Sequence, residues 1–67
     1  MFYLVIKNMG VEQCISRSPD NRYKDGQKYD CSQSLEYKKT VEIGKILIKC
    51  RVPGGPLIDV EAAIYSD

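Results

Sequence analysis

The chain contains no histidine, and that one absence removes a large share of familiar chemistry. It takes away the commonest general base, the usual partner of a nucleophilic serine or cysteine, and the commonest metal ligand. Cysteine is sparse. Cys14, Cys31 and Cys50 include no C-x-x-C pair, so there is no zinc signature. An odd number of cysteines at wide spacing is also unlike the dense, even framework of small secreted scaffolds, and Cys50 is expected to be a small buried hydrophobe. Long apolar runs are missing too. Phe2 to Ile6 is followed at once by Lys7, which predicts neither a signal peptide nor a membrane span, and so a cytoplasmic protein with no membrane partner. Ser16, Ser18, Ser32 and Ser34 sit in no G-x-S-x-G context. Gly54-Gly55 is flanked by prolines and does not lead a strand into a helix N-terminus, as a phosphate loop requires. No catalytic residues, no cofactor and no metal ligands are therefore expected, and the chain is read as not an enzyme.

At 67 residues the chain is read as one domain, 1–67, below the roughly 70 to 80 residues at which a single core is comfortably self-sufficient. A homodimer would fit that size. Hydrophobic residues at 43%, charged residues at 28%, five tyrosines and no low-complexity run describe an ordered domain. The net charge of +1 hides an asymmetry, because no basic residue follows Arg51 while Asp59, Glu61 and Asp67 all lie beyond it. The resulting dipole is too mild to imply nucleic acid by itself.

The last third reads as a β-hairpin. Ile46, Ile48, Cys50 and Val52 alternate with Lys45, Leu47, Lys49 and Arg51; after Pro53-Gly54-Gly55-Pro56, the residues Ile58, Val60, Ala62 and Ile64 alternate with Asp59, Glu61, Ala63 and Tyr65. Proline lacks a donor and glycine reaches positive φ, so the Pro-Gly-Gly-Pro segment forms the connection. Matching apolar faces favours Val52 opposite Ile58, Cys50 opposite Val60, Ile48 opposite Ala62 and Ile46 opposite Ile64. That register would set Arg51 against Asp59 and Lys49 against Glu61, turning a basic stripe into a self-neutralised face.

Phe2 to Asn8 is rich in β-branched and aromatic residues and predicts a strand buried on both faces near its middle. Asn8-Met9-Gly10 then supplies a turn, and Val11 to Arg17 a returning strand. Ser18-Pro19-Asp20-Asn21 breaks the pattern. Residues 22 to 29 form an ordered loop or short hairpin about Asp25-Gly26. Asp30 and Gln33 resemble a capping box, and Gly44 a helix stop, so Leu35 to Ile43 is read as a helix in preference to a strand. The expected fold is thus α+β, a small antiparallel sheet with one helix in the order ββαββ; without the helix it becomes an all-β small barrel.

Function then rests on residues the core does not need. Arg22, Lys24 and Lys28 alternate with Tyr23 and Tyr29, and arginine and tyrosine are enriched at interface hot spots. These five are the candidate partner-binding residues. The leading expectation is a non-catalytic intracellular protein that binds a larger protein or complex, as a phage or mobile-element inhibitor of a host nuclease or defence system would. One alternative is a nucleic-acid-binding module using Arg17, Arg22, Lys24, Lys28, Lys38 and Lys39. The other is a small structural subunit that self-associates through a strand edge.

Overall fold

In the computed structural model, which describes residues 1–38, 41–51 and 53–67, the chain is all-β. Among the described residues five strands run in the order β1 (Phe2–Asn8), β2 (Val11–Ser18), β3 (Lys28–Asp30), β4 (Val41–Arg51) and β5 (Leu57–Ser66). They form one curled half-barrel sheet, β2-β1-β5-β4-β3, antiparallel except where β3 runs parallel to β4. The α+β expectation is overturned in favour of its all-β alternative.

The reason lies in residues 30–44. Asp30 accepts from its own next-but-one neighbour, with Ser32 N at 3.0 Å and Ser32 Oγ at 2.6 Å. That is the capping interaction spent on an Asx-turn, for which the same side chain is equally suited. Leu35 then makes an isolated antiparallel bridge to Cys14, donating its N–H to the Cys14 carbonyl at 2.8 Å. Gly44 does not stop a helix; it lies inside β4. Of the expected helix, Lys39 and Thr40 lie outside the described residues.

The N-terminal hairpin forms as its sequence predicts. Met9 (φ 54°) and Gly10 (φ 81°) both have positive φ between the paired residues Asn8 and Val11, the mark of a type I′ turn, whose twist matches that of the strands it joins. Tyr3, Leu4, Val5 and Ile6 are all buried, because both faces of β1 are covered. On the major face Leu4, Ile6, Ile15, Tyr23, Ile48, Cys50, Ala62 and Ile64 pack together; on the minor face Tyr3, Val5 and Cys14 pack under Leu35 and Tyr37.

The C-terminal hairpin keeps its predicted faces but shifts register by two residues. Cys50 pairs with Ile58, Ile48 with Val60, Ile46 with Ala62 and Lys49 with Asp59. Period-two alternation distinguishes odd slips from even ones but not one even register from the next. Ile58 is consequently exposed instead of buried, Arg51 faces Leu57, Glu61 faces Leu47, and the Lys49 ammonium meets the Asp59 carboxylate at 2.8 Å. The expected pairing of Val52 with Ile58 lies outside the described residues on the Val52 side.

Cys50 is buried as expected, but not as a free thiol. It forms a disulfide with Cys31, 19 residues away, while Cys14 is free and buried. The bond fastens the chain leaving β3 to the C-terminal end of β4. Gln13 reaches across from β2 to donate to the carbonyls of Cys31 (3.1 Å) and Gln33. Together with the Cys14–Leu35 bridge, these contacts bring the β2 edge to the segment following β3, which is what curls the sheet.

Candidate interaction surface

The segment between β2 and β3 crosses the major face and carries most of the residues singled out above. Asp20 N donates to Ser18 Oγ at 3.2 Å, turning the chain immediately after β2. Tyr23 then inserts into the major core at 6% exposure, and its hydroxyl donates to Ser16 Oγ at 3.0 Å, so the ring is buried without stranding its polar end. Tyr29 is half-buried beside it, the two rings 6.1 Å apart and tilted by 57°. Burial raises the hydroxyl pKa of both.

Gln27 organises what lies between. Its amide oxygen accepts from Lys24 N at 2.9 Å and from the Tyr29 hydroxyl at 2.6 Å, and its amide nitrogen donates to the Arg22 carbonyl at 3.2 Å. The Asp25-Gly26 turn, with Gly26 at φ 84°, is docked against β4. Gly26 N donates to the Leu47 carbonyl, Leu47 N to Asp25 Oδ1, and Lys49 N to the Gln27 carbonyl, each at 2.8 Å. The result is a closely tethered loop whose two tyrosines face inward and whose Arg22, Lys24 and Lys28 face solvent.

The five candidate residues therefore divide in two: Tyr23 and Tyr29 anchor, while Arg22, Lys24 and Lys28 present charge. Asp25 and Asp30 are engaged with backbone or Ser32 groups, while Asp20, two residues before Arg22, is exposed. Hydrogen bonds from the Ser32 hydroxyl and backbone hold the Asp30 carboxyl below its ordinary value. Nothing in the sequence singles out Gln27 as the organiser, since a lone glutamine in a polar loop carries no pattern.

Compared with protein-family models, curated proteins and solved structures, the chain matches none. Its own geometry is thus the ground for a functional reading.

The residues of the nucleic-acid alternative are not gathered into one track. Arg17 stacks over Tyr3 on the minor face, its guanidinium carbon 5.8 Å from the ring centroid, whereas Arg22 and Lys24 lie on the loop over the major face. Lys28 stands beside Lys49 in the β3–β4 pairing, and Lys49 is already matched by Asp59. Lys38 follows Tyr37, and Lys39 is outside the described residues. On the minor face, a groove of about 520 Å³ has Lys7, Glu12, Glu42, Lys45 and Glu61 on its walls, a mixture of signs that does not suit a polyanion.

Proposed function

We propose that this chain is a non-catalytic binding module that acts by occupying the surface of a larger protein or complex, with Arg22, Lys24 and Lys28 as its contact residues. A small phage or mobile-element inhibitor of a nuclease or defence complex would work in this way. The observation that carries the reading is the tethering of the loop. Three hydrogen bonds made by the Gln27 side chain and two inward tyrosines fix the loop backbone that carries Arg22 and Lys24 before any partner arrives, and pre-organisation of this kind lowers the ordering cost of association. Complementary charge would set the on-rate and the choice of partner more than the final affinity.

The test is affinity capture from the native host, comparing the wild-type chain with R22A/K24A/K28A. The triple variant is expected to lose the captured protein while its melting temperature stays within a few degrees, because all three side chains are exposed. Capture of the same protein at the same yield would sink the assignment. Tyr23→Ala is unsuitable for that comparison: truncating a buried aromatic costs about 3–5 kcal/mol, and lost folding would mimic lost binding.

A further inference from the structure

The outer side of β4 is used unevenly. β3 pairs with Lys49–Arg51, and the 25–27 turn takes the backbone groups of Leu47 and the N–H of Lys49. Among the described residues, Val41–Ile46 pair only with β5. Val41 and Ile43 on this stretch, and Leu47 beside it, are exposed. An open strand edge carrying apolar side chains is a template for another strand.

Two further features say what kind of strand fits. The first is Gly44. Its φ is not positive, and a Cβ built there would meet nothing within 4 Å, so neither turn geometry nor packing within the single chain requires glycine. Glycine inside a strand weakens it and often marks close approach by another backbone. The second is the charge pattern about that glycine. Ile43 is the extra residue of a bulge, with Glu42 opposite Tyr65 and Gly44 opposite Ile64. The bulge brings Glu42 onto the same face as Lys45, and both line the minor-face groove. Neither has an ion-pair partner among the described residues.

We infer that the Val41–Ile46 edge binds a second copy of this chain, antiparallel, about a two-fold axis passing beside Gly44. Glu42 lies on one side of the axis and Lys45 on the other, so each copy's Lys45 comes next to the other copy's Glu42, and the two sheets join into one. The Asp25-Gly26 turn stops the added strand at Leu47 and helps fix its register. This inference does not depend on the proposed loop function, since it uses different residues.

A contact of this length falls below roughly 1,200 Å² of total burial, the range of weak associations, so sedimentation velocity is run from about 10 μM to about 1 mM. The mass is expected to rise from 7.6 kDa towards twice that value. Lys45→Glu, which sets acid against acid twice by symmetry, should weaken the dimer roughly tenfold, and E42K/K45E should restore it. Both positions are exposed, and a thermal melt confirms that each variant is folded. A mass that stays at 7.6 kDa throughout, an unaffected K45E dimer, or a double variant no better than the single one would each overturn the inference.

Discussion

Reducing the Cys31–Cys50 disulfide gives the most direct measure of how this small fold is held together. The cysteines are separated by 19 residues. In the chain-entropy description, a loop of that length removes about 11 cal/mol/K from the unfolded ensemble, or about 3 kcal/mol at 25 °C. For a domain of this size each kcal/mol shifts the melting temperature by roughly 4–8 °C, so the expected fall on reduction is on the order of 12–24 °C. The bond joins Cys50, 1% exposed near the C-terminal end of β4, to the residue following β3, and β3 itself pairs over only three residues. Few other contacts could take up the loss.

The assay is a circular-dichroism melt with and without reductant, accompanied by thiol counting. The non-reduced, denatured chain should show one reactive thiol, Cys14, and the reduced chain all three. C31A/C50A should melt near the reduced wild type and be indifferent to reductant. A reduced protein melting within about 4 °C of the oxidised one would refute the reasoning, as would three free thiols before reduction. Because disulfides persist mainly in oxidising compartments, the same experiment shows how much of the fold's stability would be lost in a reducing one.

Two further outcomes follow from local geometry. Met9 is 97% exposed yet has a left-handed φ of 54°, which asparagine tolerates far better. Met9→Asn should therefore stabilise the protein by about 0.5–1 kcal/mol, while Gly10→Ala should destabilise it by about 1–2 kcal/mol; urea denaturation reads both, and a less stable Met9→Asn would contradict the turn assignment. The pH profile should be a plateau with two edges. The carboxyls of Asp30, bonded by Ser32, and Asp67, bonded first by the N-terminal ammonium and then by Tyr3, are held low, so their contribution is full above about pH 4 and fades as pH falls through the lowered values. The Cys14 thiol and the Tyr23 and Tyr29 hydroxyls are held high by burial, so folding loses stability as pH rises past about 9, where the unfolded thiol begins to ionise, and further past about 10. With no histidine to titrate between these limits, melts from pH 2 to pH 11 should show no mid-range inflection of the histidine kind.

What the sequence discloses and what it conceals divide along physical lines. Alternation and turn chemistry are local, so β1, β2, the Met9-Gly10 turn and the faces of β4 and β5 are all legible from residue order. Register is not, since Lys49 has an acid within reach at either Asp59 or Glu61, and face parity accepts both. The helix expectation fails because Asp30 and Gly44 are ambiguous signals: the same oxygen that caps a helix closes an Asx-turn, and the same glycine that ends a helix can sit beside a bulge. The disulfide is a matter of Cα proximity, 5.4 Å between Cys31 and Cys50, which sequence spacing cannot give. The candidate loop is legible from its arginine, lysines and tyrosines, but the division of labour among them depends on the long-range packing that takes Tyr23 into the same core cluster as Leu4, Ile48 and Ile64.

The two surfaces meet at Leu47. Its N–H and carbonyl are taken by Asp25 and Gly26, so the turn that tethers the basic loop also marks where the open edge of β4 ends. A second copy paired along Val41–Ile46 would thus carry its own Arg22 and Lys24 on the far side of the two-fold axis, and one assembly would present two basic loops at a fixed separation. A partner with two matching acidic patches would then be held by both, and effective concentration would raise the affinity well beyond that of a single loop. A partner with only one patch would bind monomer and dimer alike. Comparing captured yield between wild type and the dimer-weakened Lys45→Glu variant, at a concentration where sedimentation shows the wild type dimeric and the variant not, distinguishes the two arrangements, because Lys45 lies outside the loop and its reversal leaves Arg22, Lys24 and Lys28 untouched.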